Sequence, residues 1–296
     1  MGLKTTVGIA AVAVLGCAAG AFYYVRARGE QHVPEVVTAE PPGFREAYPA
    51  GKPASPPAVK SSLPADSKKA APPVDTGLPL RAGEVLEYAA NVSNLENVAS
   101  LRLQVAGRGT FLGRSTWHLQ AFAHTQNPLR MVLELDDQFD SYSDATTMAS
   151  LQYEMHLSER GQKVESVQRM TATGKEPASP DAIQARVLPG TRDPLGLMQY
   201  LRNVDWTKTS EVRSPVYDGH KLYDVHAKLA APSEKVNVPA GDYIASKIAI
   251  RVFDDGVEMK DASFTLYVAN NAAHTPVLLE AIMPFATARV ELQKAR

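Results

Sequence analysis

The densest run of groups able to do chemistry is Asp136-Asp-Gln-Phe-Asp-Ser-Tyr-Ser-Asp144, with carboxylates at Asp136, Asp137, Asp140 and Asp144. Side chains of this kind could gather a calcium ion or supply an acid and a base for hydrolysis. An EF-hand loop needs glycine at its sixth position and glutamate at its twelfth. Counted from Asp136 those positions hold Ser141 and Thr147, so that motif is excluded. A glycan-cleaving pair of acids must face each other across several ångströms of cleft. Spacing along the chain leaves open whether Asp136, Asp137 and Asp140 converge. The plain alternative is a solvated strand end and turn.

The other reactive types are scattered. The seven histidines include no H-x-x-x-H pair and have no cysteine partners, so a zinc site is not expected. His118 and His156 fall on the polar faces of alternating segments and read as ordinary surface residues. The G-x-S-x-G turn that presents a serine nucleophile is absent. Gly107-Arg-Gly109 with Gly113 falls short of a phosphate-cradling G-x-G-x-x-G, and it lies between strand-like stretches rather than before a helix. Asn91-Val-Ser93 matches a glycosylation sequon and is read as chance. No catalytic residue, metal ligand or cofactor site is therefore expected.

The elements that must position these groups are mostly strands. Val85–Val92, Leu101–Val105, Ser115–Ala123, Met131–Leu135, Leu151–Leu157 and Val164–Met170 carry strand-like patterns. Val212–Tyr217, Lys221–Leu229, Ile244–Phe253, Val257–Val268, Val277–Met283 and Thr287–Gln293 continue the pattern. Trp117, Leu119, Ala121 and Ala123 share one face of their strand, with His118 and Gln120 on the other. Asp218-Gly219 and Asp255-Gly256 sit between strands as hairpin turns, the former pair suited to type I′. Short glycine turns favour antiparallel pairing, since parallel strands need long crossovers.

One helix interrupts them, Arg192-Asp-Pro-Leu-Gly-Leu-Met-Gln-Tyr-Leu-Arg202. Asp193 is placed to cap it, Pro194 suits its first position, and Leu195, Met198 and Leu201 share a face. Asp193 and Arg202 thus read as the polar ends of a helix. The expected fold is mainly β: an antiparallel, strongly curved sheet, open barrel or sandwich, with this helix packed on it.

This domain would span residues 79–296 and, at that size, needs neither a metal nor a disulfide to fold. Ahead of it, 29–78 holds Pro41-Pro42, Pro49, Pro53, Pro56-Pro57, Pro64 and Pro72-Pro73 without hydrophobic periodicity. Such composition reads as a disordered, semi-rigid linker; about 48 residues of it would reach at most ~150 Å. Residues 1–28 contain an uncharged run from Val7 to Val25, which as a helix would be about 28 Å long, close to the hydrocarbon thickness. Three readings compete: a signal anchor with interfacial Phe22, Tyr23 and Tyr24; a lipobox at Val14-Leu-Gly-Cys17, with Cys17 lipidated; or a signal peptide cleaved at Ala19-Gly-Ala21. Each places the domain outside the cytoplasm, in the periplasm or cell envelope, with the membrane as a partner through the N-terminal segment. A net charge of −1 without a basic stripe excludes a typical nucleic-acid binder.

Several segments carry a resemblance when taken together. They are Asp136 to Met148 leading into Leu151-Gln-Tyr153, the helix ending Tyr200-Leu-Arg202, Val216-Tyr-Asp-Gly219 with Tyr223, Pro239-Ala-Gly-Asp-Tyr243 with Lys247, and Leu266-Tyr-Val followed by His274-Thr-Pro-Val277. In order and spacing they resemble the exported bacterial family catalogued as domain of unknown function 3108, over about residues 80–292. Pro284-Phe-Ala-Thr287 departs from it where a glycine turn is expected, and Tyr267-Val-Ala-Asn270 where a tryptophan-containing strand end is usual. The resemblance implies an exported β-rich domain and carries over no activity, substrate or catalytic residue.

Two functions from different classes follow. One is a non-catalytic binding or assembly module of the envelope, in which Trp117, Tyr223 and Phe264 line a groove for a lipid or peptide, or serve an envelope protein partner. In the competing view those side chains simply fill the core. The other is an envelope hydrolase or glycan-processing enzyme built on Asp136, Asp137 and Asp140.

Overall fold

The computed structural model describes residues 79–296, apart from positions 132, 160–161, 172–182, 262 and 285. The expected anchor, Cys17 and the linker up to residue 78 lie outside the described residues.

The chain forms β1(Val85–Val92), β2(Leu95–Phe111), β3(Arg114–Thr125), β4(Asp136–Asp144), β5(Ser150–Glu159), β6(Gln162–Thr171) and β7(Ile183–Arg186). Then come the helix α1(Pro194–Asn203) and β8(Glu211–Tyr217), β9(Leu222–Val238), β10(Gly241–Asp254), β11(Val257–Glu258), β12(Ser263–Ala269), β13(Pro276–Met283) and β14(Ala286–Ala295). All the strands join one sheet in the order β7-β6-β5-β4-β3-β2-β1-β14-β13-β12-β10-β9-β8, with β11 on β10. The mainly β, strongly curved, antiparallel expectation holds, with one departure: β7 runs parallel to β6.

Local chemistry explains the turns. Asp255 and Gly256 both have positive φ (48° and 80°) between the paired residues Asp254 and Val257, the geometry of a type I′ hairpin. Asp218-Gly219 does not make that two-residue turn. Tyr217 pairs with Leu222, and the Asp218 carboxylate accepts from the N–H groups of His220 and Lys221, organising a four-residue loop.

Two further boundaries differ from expectation. Met131–Leu135 is not a strand; Leu129–Met131 is a 3-10 turn, and Leu129, Leu133 and Leu135 tuck into the core. The expected strand Val257–Val268 is broken into β11 and β12 by residues between 259 and 262. The acidic run, in turn, is not a turn but the strand β4, with Asp137 and Asp140 buried. Strand alternation, with one edge facing each neighbour, hides polar residues that their type alone would place in water.

Curvature brings the two edges of the sheet close without joining their ladders. The chain before α1 spans the gap. Ser150 N–H donates to the Thr191 carbonyl (3.0 Å), Arg192 N–H to the Pro215 carbonyl (3.0 Å), and Tyr217 N–H to the Arg192 carbonyl (2.8 Å). Gln168 Nε2 donates across the seam to the Gly219 carbonyl (2.5 Å).

The helix packs into the concave face. Asp193 accepts from Gly196 N–H (2.8 Å), confirming the cap, and from the Ser141 hydroxyl (2.5 Å). Leu195 and Leu201 join the main core, while Leu197 and Met198 are partly buried against it. A void of only about 20 Å³ is left beneath the helix, lined by Tyr88, Leu101, Leu195, Met198, Leu266 and Leu279 among others. A second, smaller cluster of Tyr153, Met155 and Met170 lies along the seam, joined by Phe139 and Tyr217.

Candidate functional site

Alternation along β3 to β6 turns one set of side chains outward in cross-strand rows. His118, Tyr142, Gln152 and Arg169 form one row, and Gln120, Asp140, Glu154 and Val167 the next. Phe122, Gln138, His156 and Glu165 form a third. The rows converge on Asp140, which is 4% exposed. Its carboxylate accepts from Gln120 Nε2 (2.8 Å) and Gln138 Nε2 (2.7 Å), and pairs with His118 Nε2 at 2.6 Å. His118 stacks on Tyr142 (4.6 Å between ring centres), which stacks in turn on Phe111 (4.5 Å).

His156 sits among three carboxylates. Its Nε2 lies 3.9 Å from Asp140 Oδ2 and 3.6 Å from Glu154 Oε2, and its Nδ1 contacts Glu165. Burial opposes its charge, but the hydrogen bond to Glu165 and the fields of Glu165, Asp140 and Glu154 outweigh that and raise its pKa above 6.5. Burial likewise disfavours the charge on Asp140. The hydrogen bonds from His118, Gln138 and Gln120 prevail and hold its carboxyl below the usual range.

The three acids of the hydrolase reading do not converge. Asp137 points to the opposite face of β4 from Asp136 and Asp140, and it accepts from Ser158 N–H (2.9 Å). Asp136 and Asp140 share a face but stand four residues apart, about 13 Å along a strand. That is wider than the separations used by paired glycosidase acids. Asp136 is moreover bound to Arg130 (2.7 Å), whose hydrogen bond does most to bring its pKa down to about 2. The imidazoles of His118 and His156 pair with carboxylates rather than with a hydroxyl, so neither is placed to activate a serine. Among the described residues no group of three or more His, Cys, Asp or Glu is arranged to hold a metal ion.

Of the expected groove residues, two are buried. Trp117, 6% exposed, pairs with Ser143 and belongs to the main core. Tyr223, 4% exposed, pairs with Val216 of β8. Phe264 alone is half-buried, between Ile250 and Ala281 on the concave face. The convergence of His118 and His156 on Asp140, which sequence reasoning passed over, was visible only as polar residues in alternation on Ser115–Ala123 and Leu151–Leu157; the pairing of β3 with β5 through β4 was not.

A family model described as "Protein of unknown function (DUF3108)" matches residues 87–293. No curated protein matches the chain in sequence. Among solved structures, a beta-barrel-like protein of domain of unknown function DUF1849 from Brucella abortus is 11% identical with a TM-score of 0.47, covering 72% of this chain and 97% of its own. A proposed lipoprotein from Parabacteroides distasonis is 12% identical with a TM-score of 0.35, covering 74% and 98%. A proposed exported protein from Bacteroides fragilis is 11% identical with a TM-score of 0.31, covering 74% and 98%.

Proposed function

The chain belongs to the DUF3108 family, and on that footing we propose that it is a non-catalytic binding or assembly module of the cell envelope, held to a membrane by its N-terminal segment. The observation that favours this reading over a hydrolase built on Asp136, Asp137 and Asp140 is the dispersal of those three acids over two faces and along the length of β4. Its other support is in the sequence: the uncharged run Val7 to Val25, followed by a proline-rich tether.

The partner is a lipid or an envelope protein, and no nucleic acid. With α1 seated in the concave face, the void lined by Leu195 and Met198 is about 20 Å³, too small for a lipid chain. Ligand pockets typically enclose some 300–1,000 Å³. Contact is therefore made at the outer rows around Asp140 or at half-buried Phe264, while Trp117 and Tyr223 support the frame. Membrane fractionation of cells making the full chain tests the tether. The reading predicts recovery with membranes, and release into the soluble periplasmic fraction when residues 1–28 are replaced by a cleavable signal peptide. The mass of the extracted chain separates the two modes of attachment, since a lipoprotein begins at a lipidated Cys17 and a helical anchor keeps residues 1–16. Full-length protein found in the cytoplasm would overturn the reading.

A further inference from the structure

The seam side of the sheet is attached differently from the rest. Most of the sheet packs around the main core, whereas the β5–β6 hairpin contributes Tyr153, Met155 and Met170 to the small separate cluster. Only the short, parallel β7 lies beyond β6 at that edge. Across the seam the hairpin is held by Gln168 on the Gly219 carbonyl and by Met155, whose Sδ and Cε lie against Gly219. On its outer face His156 adds a contact with Asp140 to the ladder that pairs β5 with β4.

Around that imidazole the charges are unbalanced. Asp140 from β4 and Glu154 from β5 are direct cross-strand partners, an arrangement of like charges that destabilises a ladder. Glu165 from β6 is the direct partner of His156 itself. His118 of β3 reaches the far oxygen of Asp140, Lys163 of β6 lies one outward position further along, and Asp136 of β4 is occupied by Arg130 and His124. A protonated His156 is thus the cation placed between three carboxylates on three strands. We infer that His156 is a proton-operated latch: protonated, it clamps the β5–β6 hairpin to β4, and neutral, it leaves Asp140, Glu154 and Glu165 to repel one another and loosens the seam.

The direction follows from linkage. A histidine whose pKa is higher in the folded state contributes stability that is complete below its unfolded value, about 6.5, and lost as pH rises through the folded value. Loosening the hairpin would uncover Tyr153, Met155 and Met170 and break the bridge to Gly219, opening the sheet along the seam between its two edges. A domain outside the cytoplasm meets such changes in pH directly.

Hydrogen–deuterium exchange of the full chain in detergent, at about pH 5.5 and about pH 8.5 and corrected for the intrinsic exchange rate, reads the latch on either side of the imidazole's titration. Amides of β5 and β6 are expected to open several-fold more readily at the higher pH, and those of β12 to β14 to stay unchanged. His156→Gln is expected to open readily at both values, and Glu165→Gln to narrow the difference, while His226→Gln, on β9, leaves it intact. Equal protection of β5 and β6 at both pH values would overturn the inference. So would a pH difference that persists in His156→Gln. If that variant does not fold, an unchanged difference in Glu165→Gln is decisive against it.

Discussion

Arg202 and Glu84 form a two-pronged pair, Nη1 to Oε2 at 2.6 Å and Nη2 to Oε1 at 2.7 Å, across 118 residues of chain. The arginine is wholly buried at the end of α1, and it also donates to the Ala273 carbonyl at 2.6 and 2.9 Å. The residue just ahead of the first strand is thereby tied to the end of the helix that fills the concave face. A buried charge stripped of its partner is costly, so Glu84→Gln or Arg202→Met should each lower stability by about 3–5 kcal/mol in urea melts. Changing both residues to apolar ones of similar size should cost less than the two single losses summed, because no charge is then left stranded.

Gly196→Ala should destabilise although it sits in a helix, where alanine is normally favoured by about 1 kcal/mol. A Cβ at that position would lie 2.9 Å from the Met148 carbonyl oxygen and 3.0 Å from Ser150 Oγ. The carbonyl belongs to the backbone and cannot swing aside. A net loss of about 1–3 kcal/mol is expected from overpacking. A melt showing a gain would mean that the helix sits further from β4 and β5.

Leu201→Ala should cost roughly 2–5 kcal/mol, since the side chain is buried in the main core. Leu197, a turn earlier on the same stripe, is only partly buried and should lose clearly less. Helical spacing alone did not rank the two. The register of α1 against the sheet does.

The carboxyl of Asp136 should titrate near pH 2, followed by carbon-detected NMR. Its lowered pKa means that the stability it contributes is present above its unfolded value, about 3.9, and fades as pH falls through the folded one. Arg130→Ala removes the largest cause and should move the midpoint back up. A midpoint near 4 in the unaltered protein would show that the Arg130 contact is not formed in solution.

The sheet, the hairpins and the capped helix α1 were legible because each rests on local rules: alternation, glycine at positive φ, and an aspartate ahead of Pro194. The Asp255-Gly256 turn is such a case, and Asp218-Gly219 shows the limit, since the Asp218 side chain bonds its own loop and widens it. What escaped depends on pairing between distant segments. Nothing near His156 in the chain announces Asp140 or Glu165, and nothing near Arg202 announces Glu84. The acidic run looked like a solvated turn because residue type outweighed an alternation that only the flanking strands make visible.

The most direct test of the envelope-module account is native mass spectrometry of the full chain after gentle extraction from its membrane. The account predicts a reproducible lipid or envelope protein bound to the chain, its yield reduced by Phe264→Asp or by changes in the outer rows around Asp140, with folding retained. The bare mass of the protein alone in every preparation, or bound material indifferent to both sets of substitutions, would contradict it.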